Sequence, residues 1–95
     1  MEKCNLSLQI IPLVDEAEVY SVVDKVIQTI DESGLKYIVG PMETTMEGNL
    51  EELLEIVKKA QEVCISAGAH RILSVVKIDY SSSGVTINEK VGKYR

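Results

Sequence analysis

The chain has 95 residues, with 10 Lys and Arg against 15 Asp and Glu, for a formal net charge of -5. That length fits a single domain over residues 1–95 with one modest core, and an apolar content of 45% argues against disorder. No apolar run approaches the roughly 18 residues of a membrane span, and the acidic balance argues against nucleic acid, whose binding rests on Lys and Arg neutralising phosphates.

The N-terminus carries Glu2 and Lys3 and then alternates, without the continuous apolar stretch of a secretory leader. The expected location is therefore the cytoplasm. In 3–13, Cys4, Leu6, Leu8 and Ile10 share one phase and Asn5, Ser7 and Gln9 the other, a period of two that predicts a strand with one apolar face. In 16–33, Val19, Val22, Val23, Val26, Ile27 and Ile30 recur at spacings of three and four, one stripe of a helix. Asp15 and Glu18 have the spacing of a capping box, and Gly34 suits the position after the helix. Two short strands follow, 36–39 and 44–47, broken by Gly40-Pro41. Their connection is too short for a crossover and predicts an antiparallel hairpin.

A second helix is predicted over 50–67, with Leu50, Leu53, Leu54, Val57, Ala60, Cys64 and Ala67 on one face, Asn49 as cap and Gly68 beyond its end. Glu51, Glu52 and Glu55 with Lys58 and Lys59 form its solvated face. Segment 71–80 is the last strand. After the turn at Ser81–Gly84, Thr86 and Glu89 repeat the capping-box spacing and open a short helix through Tyr94. The order strand, helix, hairpin, helix, strand predicts an α+β, ferredoxin-like β-α-β-β-α-β sandwich. A four-stranded antiparallel sheet carries both long helices on one face. The last strand is apolar in both phases, with Ile72, Val76 and Ile78 in one and Leu73 and Val75 in the other. Strands covered on both sides have this pattern. The helix-free face is therefore expected to pack on a second copy of the chain, giving a homodimer.

Catalytic chemistry is hard to assemble. His70 is the only histidine and falls in a predicted turn before the last strand. Cys4 and Cys64 form no close pair and sit in apolar phases. No nucleophile elbow, zinc motif or phosphate-cradling glycine loop is present. Segment 12–18 is acidic where an acylphosphatase-type anion loop would be basic, and the central strands lack the aromatics of an RNA-recognition domain. What remains is a set of polar residues on strands that should be covered: Asn5, Ser7 and Gln9, then Thr44, Thr45 and Glu47 on the neighbouring strand, with Lys77 and Asp79 on the last. Covered polar groups need partners, which water, a second subunit or a small polar ligand can supply.

The hairpin Gly40-Pro41-Met42-Glu43-Thr44-Thr45-Met46-Glu47-Gly48 resembles the signature of the small thiamine-binding protein family of ferredoxin-like domains. Lys77-Ile78-Asp79 and the tail from Gly84 through Tyr94-Arg95 are similar to segments of the same family, so the resemblance spans essentially the whole chain. The chain departs from many members at Glu43, where they have Gly, and at Tyr80-Ser81, where a basic residue is common. The resemblance implies a non-enzymatic protein that binds thiamine or its hydroxymethylpyrimidine part as its ligand, with no further cofactor and no metal. It implies pairing sheet against sheet and assembly to tetramers. By match of residue types, a carboxylate such as Glu47 or Asp79 would face the thiazolium cation or the amino group. Asn5, Ser7, Thr44 and Thr45 would supply neutral hydrogen bonds, and Met46 or Met42 soft packing against a ring. The competing readings are a regulatory module that senses another small molecule, such as an amino acid, and a purely structural oligomerisation subunit.

Overall fold

In the computed structural model, which describes residues 3–95, the first alternating segment is strand β1, Cys4–Pro12. Helix α1, Val19–Glu32, hairpin strands β2, Lys36–Val39, and β3, Thr44–Gly48, helix α2, Leu50–Ser66, and strand β4, Ile72–Asp79, follow in the predicted order. A short helix α3, Ile87–Val91, closes the chain with a 3-10 turn at Gly92–Tyr94. The sheet order is β2-β3-β1-β4 and every neighbouring pair is antiparallel, the ferredoxin-like α+β arrangement.

Side chains alternate across a strand, so the register fixes both faces at once. Leu6 lies opposite Met46 on one side and Ile78 on the other, and Leu8 lies between Thr44 and Val76. From that phase Cys4, Leu6, Leu8 and Met46 meet Val22, Val26 and Ile30 of α1 and Leu53, Ile56, Ala60 and Cys64 of α2, and together they form the core. Burying a Leu, Ile or Met side chain contributes about 1.5–3 kcal/mol, which holds α1 in place despite its β-branched stripe. On α2 the inward residue is Ile56, while Leu54 stays half-exposed. The 3.6-residue repeat carries the stripe through 53, 56, 60 and 64 rather than through adjacent leucines.

The helix ends follow local chemistry. Asn49 Oδ1 accepts the Glu52 N–H at 2.9 Å, and Thr86 Oγ1 accepts that of Glu89 at 3.1 Å. The capping box expected at Asp15 does not form: residues Glu16–Glu18 make a 3-10 turn, the Glu18 N–H reaches the Asp15 backbone carbonyl, and the Asp15 side chain caps nothing. At the hairpin tip the Gly40 N–H donates to the Glu43 carbonyl at 2.9 Å, and a Cβ at Gly40 would lie 2.8 Å from that same oxygen, so the turn admits only glycine.

The face away from α1 and α2 is not left bare throughout. The Val85 N–H donates to the Lys3 carbonyl at 3.0 Å, which lays α3 across the end of the sheet and buries Ile87 there. The remainder of that face stays open, with Leu73 and Val75 each 48% exposed. Leu73 and Val75 are exposed because no helix lies over that part of the face, and Val76 and Ile78 on the other face stay part-exposed because β4 is an edge strand.

Candidate functional site

The open face carries two polar rungs. In the first, Asn5 on β1 lies between Glu47 on β3 and Asp79 on β4. In the second, Ser7 lies between Thr45 and Lys77. Gln9 opposite Val75 and Ile38 opposite Thr45 extend the surface. Two walls rise from it. One is the hairpin tip, Gly40 to Glu43; the other is α3 with its continuation to Arg95. Between them lies a groove of about 700 Å³, within the range of small-molecule sites.

The polar groups of the floor are held by specific bonds. Ser7 Oγ and Thr45 Oγ1 are 2.7 Å apart and share a hydrogen bond. Lys90 Nζ of α3 donates to Asn5 Oδ1 at 2.8 Å and pairs with Asp79 Oδ2 at 2.6 Å, tying the second wall to the floor. Lys77 Nζ pairs with Glu43 Oε1 at 3.1 Å, tying β4 to the hairpin. Asn5 is 3% exposed, and its Nδ2 is buried with no acceptor among the described residues. Such a group is unfavourable by about 1–3 kcal/mol until it finds an acceptor.

Of the residues singled out from the sequence, Asn5, Ser7, Thr45 and Asp79 line the groove together. Thr44 and Met46 do not. They sit in the phase of Leu8 and Leu6 and point toward the helices, and Met46 is fully buried in the core. Glu47 faces the groove side but lies beneath α3, where Oε1 accepts the Ile87 N–H at 2.7 Å and Oε2 is 3.8 Å from Lys3 Nζ. Its carboxylate holds the start of α3 rather than standing open to the groove. Sequence reasoning missed Lys90, Val91 and Arg95, which reach the groove only because the tail folds back over β1 and β3. The one local hint was the Thr86–Glu89 capping pattern, which predicts the helix but not where it docks.

His70 is exposed at the start of β4 and does not line the groove. No cluster of three or more His, Cys, Asp or Glu side chains that could hold a metal ion occurs among the described residues. Nor is any helix among them long and apolar enough to cross a membrane. The groove thus offers hydroxyl, amide and charged groups for recognition, and no nucleophile beside an imidazole base.

The profile of a family described as thiamine-binding protein matches residues 6–95. The chain is 62% identical over 95 residues to a UPF0045 protein of Clostridium perfringens, covering 100% of both chains. Among solved structures it is similar to a domain of unknown function, DUF77, from Bacillus cereus. The TM-score is 0.92 at 48% identity, covering 99% of this chain and 91% of that one. A Thermotoga maritima protein ascribed to thiamine biosynthesis or salvage superposes with a TM-score of 0.91 at 39% identity, covering 98% of this chain and 99% of that one.

Proposed function

The chain belongs to the thiamine-binding protein family, and we propose that it binds thiamine or the hydroxymethylpyrimidine part of thiamine in the groove over Asn5, Ser7, Thr45 and Asp79, without chemical turnover. The observation that carries this reading is the placement of hydrogen-bonding side chains, Asn5 buried and Ser7 and Thr45 half-buried, beneath a groove of ligand size on the sheet face away from the core. An aminopyrimidine has a donor amino group and acceptor ring nitrogens, which match the paired hydroxyls of Ser7 and Thr45. Met42, exposed at the hairpin tip, supplies a flexible thioether that can lie against a ring. No metal or further cofactor enters the reading.

The same reading includes assembly in the cytoplasm through the open sheet face. Leu73 and Val75 border the groove side of β4, and a second chain over them would remove their apolar surface from water at roughly 25 cal/mol per Å². A dimer formed there would also close the groove.

A thermal-shift panel of thiamine, hydroxymethylpyrimidine and free amino acids tests the function. A ligand that binds only the folded chain raises the midpoint. A rise with thiamine or the pyrimidine and not with amino acids is expected. A rise with an amino acid alone would replace this reading with that of a different sensor.

A further inference from the structure

The charges of the groove differ in sign from those of the chain. The whole chain is at -5, yet the charged residues lining the groove are Lys77, Lys90 and Arg95 against Glu43 and Asp79. Each carboxylate is already engaged, Glu43 by Lys77 and Asp79 by Lys90. Glu47, the third acidic residue of this face, is covered by α3 and held by the Ile87 N–H and Lys3. No carboxylate side chain is left to receive a thiazolium cation. Arg95 is left without a carboxylate partner among the described residues, and one lining donor, Asn5 Nδ2, lacks an acceptor. A cation entering this groove would have to displace a lysine; an anion would not.

On the reading that the groove takes the pyrimidine part of thiamine, we infer that its preferred ligand is the phosphate monoester of the pyrimidine alcohol, with the ester phosphate held by Arg95, rather than the thiazolium-bearing molecule. A phosphate monoester carries about -1.5 to -2 charges at neutral pH and several acceptor oxygens, and guanidinium and ammonium groups recognise it through charge-assisted hydrogen bonds. Ser7 and Thr45 on the floor hold the neutral ring, and Arg95 on the wall holds the ester. A groove of about 700 Å³ has room for both parts.

Calorimetry at low and moderate salt with thiamine, hydroxymethylpyrimidine, its phosphate monoester and inorganic phosphate tests this. The ester is expected to bind at least about tenfold more tightly than the unphosphorylated alcohol, and that ratio should fall as salt rises. Arg95→Gln should reduce the ratio. Lys77→Gln, which frees Glu43, should move the preference toward thiamine. An ester that binds no better than the alcohol, or thiamine that binds more tightly than the ester, overturns the inference and leaves the pyrimidine site standing. Binding of inorganic phosphate with none of the pyrimidine compounds overturns the pyrimidine reading and with it the ester. Equal ratios in the parent chain and in both variants would place the phosphate elsewhere and overturn the role given to these residues.

Discussion

The carboxylate of Glu47 reaches across the sheet end to accept the backbone N–H of Ile87 at 2.7 Å, forty residues along the chain. It is 7% exposed, and the N–H it binds belongs to the first turn of α3, where no intrahelical partner exists. A negative group at a helix start also meets the positive end of the peptide dipoles. Glu47 therefore docks the tail. Glu47→Ala should destabilise the chain by about 1–3 kcal/mol, with hydrogen exchange at Ile87 accelerating more than exchange at Leu6. If denaturant unfolding and Ile87 exchange both match the parent, the tail is held by something else.

This pair also marks where the sequence stops being legible. The strand and helix periods, the caps at Asn49 and Thr86 and the hairpin were readable locally, because each depends on residues a few positions apart. The two faces of β3 were readable as well. Met46 is the apolar member of its strand, so its phase, with Thr44, belongs to the core, and Thr45 and Glu47 to the other side. Only one phase of the four can therefore reach the open face, and Thr44 and Met46 belong to the other. The docking of α3 could not be read, since Glu47–Ile87 and Asn5–Lys90 join residues far apart in sequence through the register of the finished sheet. For the same reason, the lysines that neutralise Glu43 and Asp79 emerge only once the strands are paired.

Burial pushes the Cys64 thiol up from its ordinary pKa, and burial followed by the nearby Asp79 charge does the same at Cys4. Both side chains lie in the core. Raised, covered thiols are poor nucleophiles. In the folded chain their alkylation should be slower than in denaturant by about a thousandfold or more, following global opening. Rapid modification of either cysteine under native conditions would show that the core opens locally.

The Tyr37 hydroxyl donates to Asp31 Oδ1 at 2.8 Å, joining β2 to the end of α1. That hydrogen bond first, then burial and the Asp31 charge, raises its pKa above the ordinary value of 10.0. A raised folded-state pKa means that the neutral phenol is favoured by folding. The contribution is complete below the unfolded pKa and is lost as pH rises through the folded one. The stability gap between the parent and Tyr37→Phe should therefore be constant below about pH 9 and shrink above about pH 10. A gap that widens with alkali would contradict the sign.

Val75 is 48% exposed in the single chain and sits beside Leu73 on the open face. Val75→Asp should change the stability of one chain little, yet break a sheet-to-sheet dimer, because an unpaired charge at such an interface is unfavourable by several kcal/mol. Light scattering should give the parent a mass at least twice 10.5 kDa and the variant 10.5 kDa. A parent already at the single-chain mass at micromolar concentration removes the assembly.

The hydroxyls of Ser7 and Thr45 face each other at 2.7 Å on the groove floor. One donates to the other, so the pair retains one outward proton and several lone pairs, the complement of an aminopyrimidine edge. Ser7→Ala or Thr45→Ala should each weaken pyrimidine binding several-fold, as expected for a lost hydrogen bond of about 0.5–1.5 kcal/mol. The double variant should lose less than the two effects combined, since removing one hydroxyl already frees its partner to reorient. Thr44→Ala lies one position away but points to the helices, and Glu55→Gln lies on the outer face of α2. Both should bind as the parent does. Calorimetry on these five variants separates the faces of the sheet: loss at Thr44 with none at Thr45 would move the ligand to the helix side, and equal affinity throughout would take it off the sheet altogether.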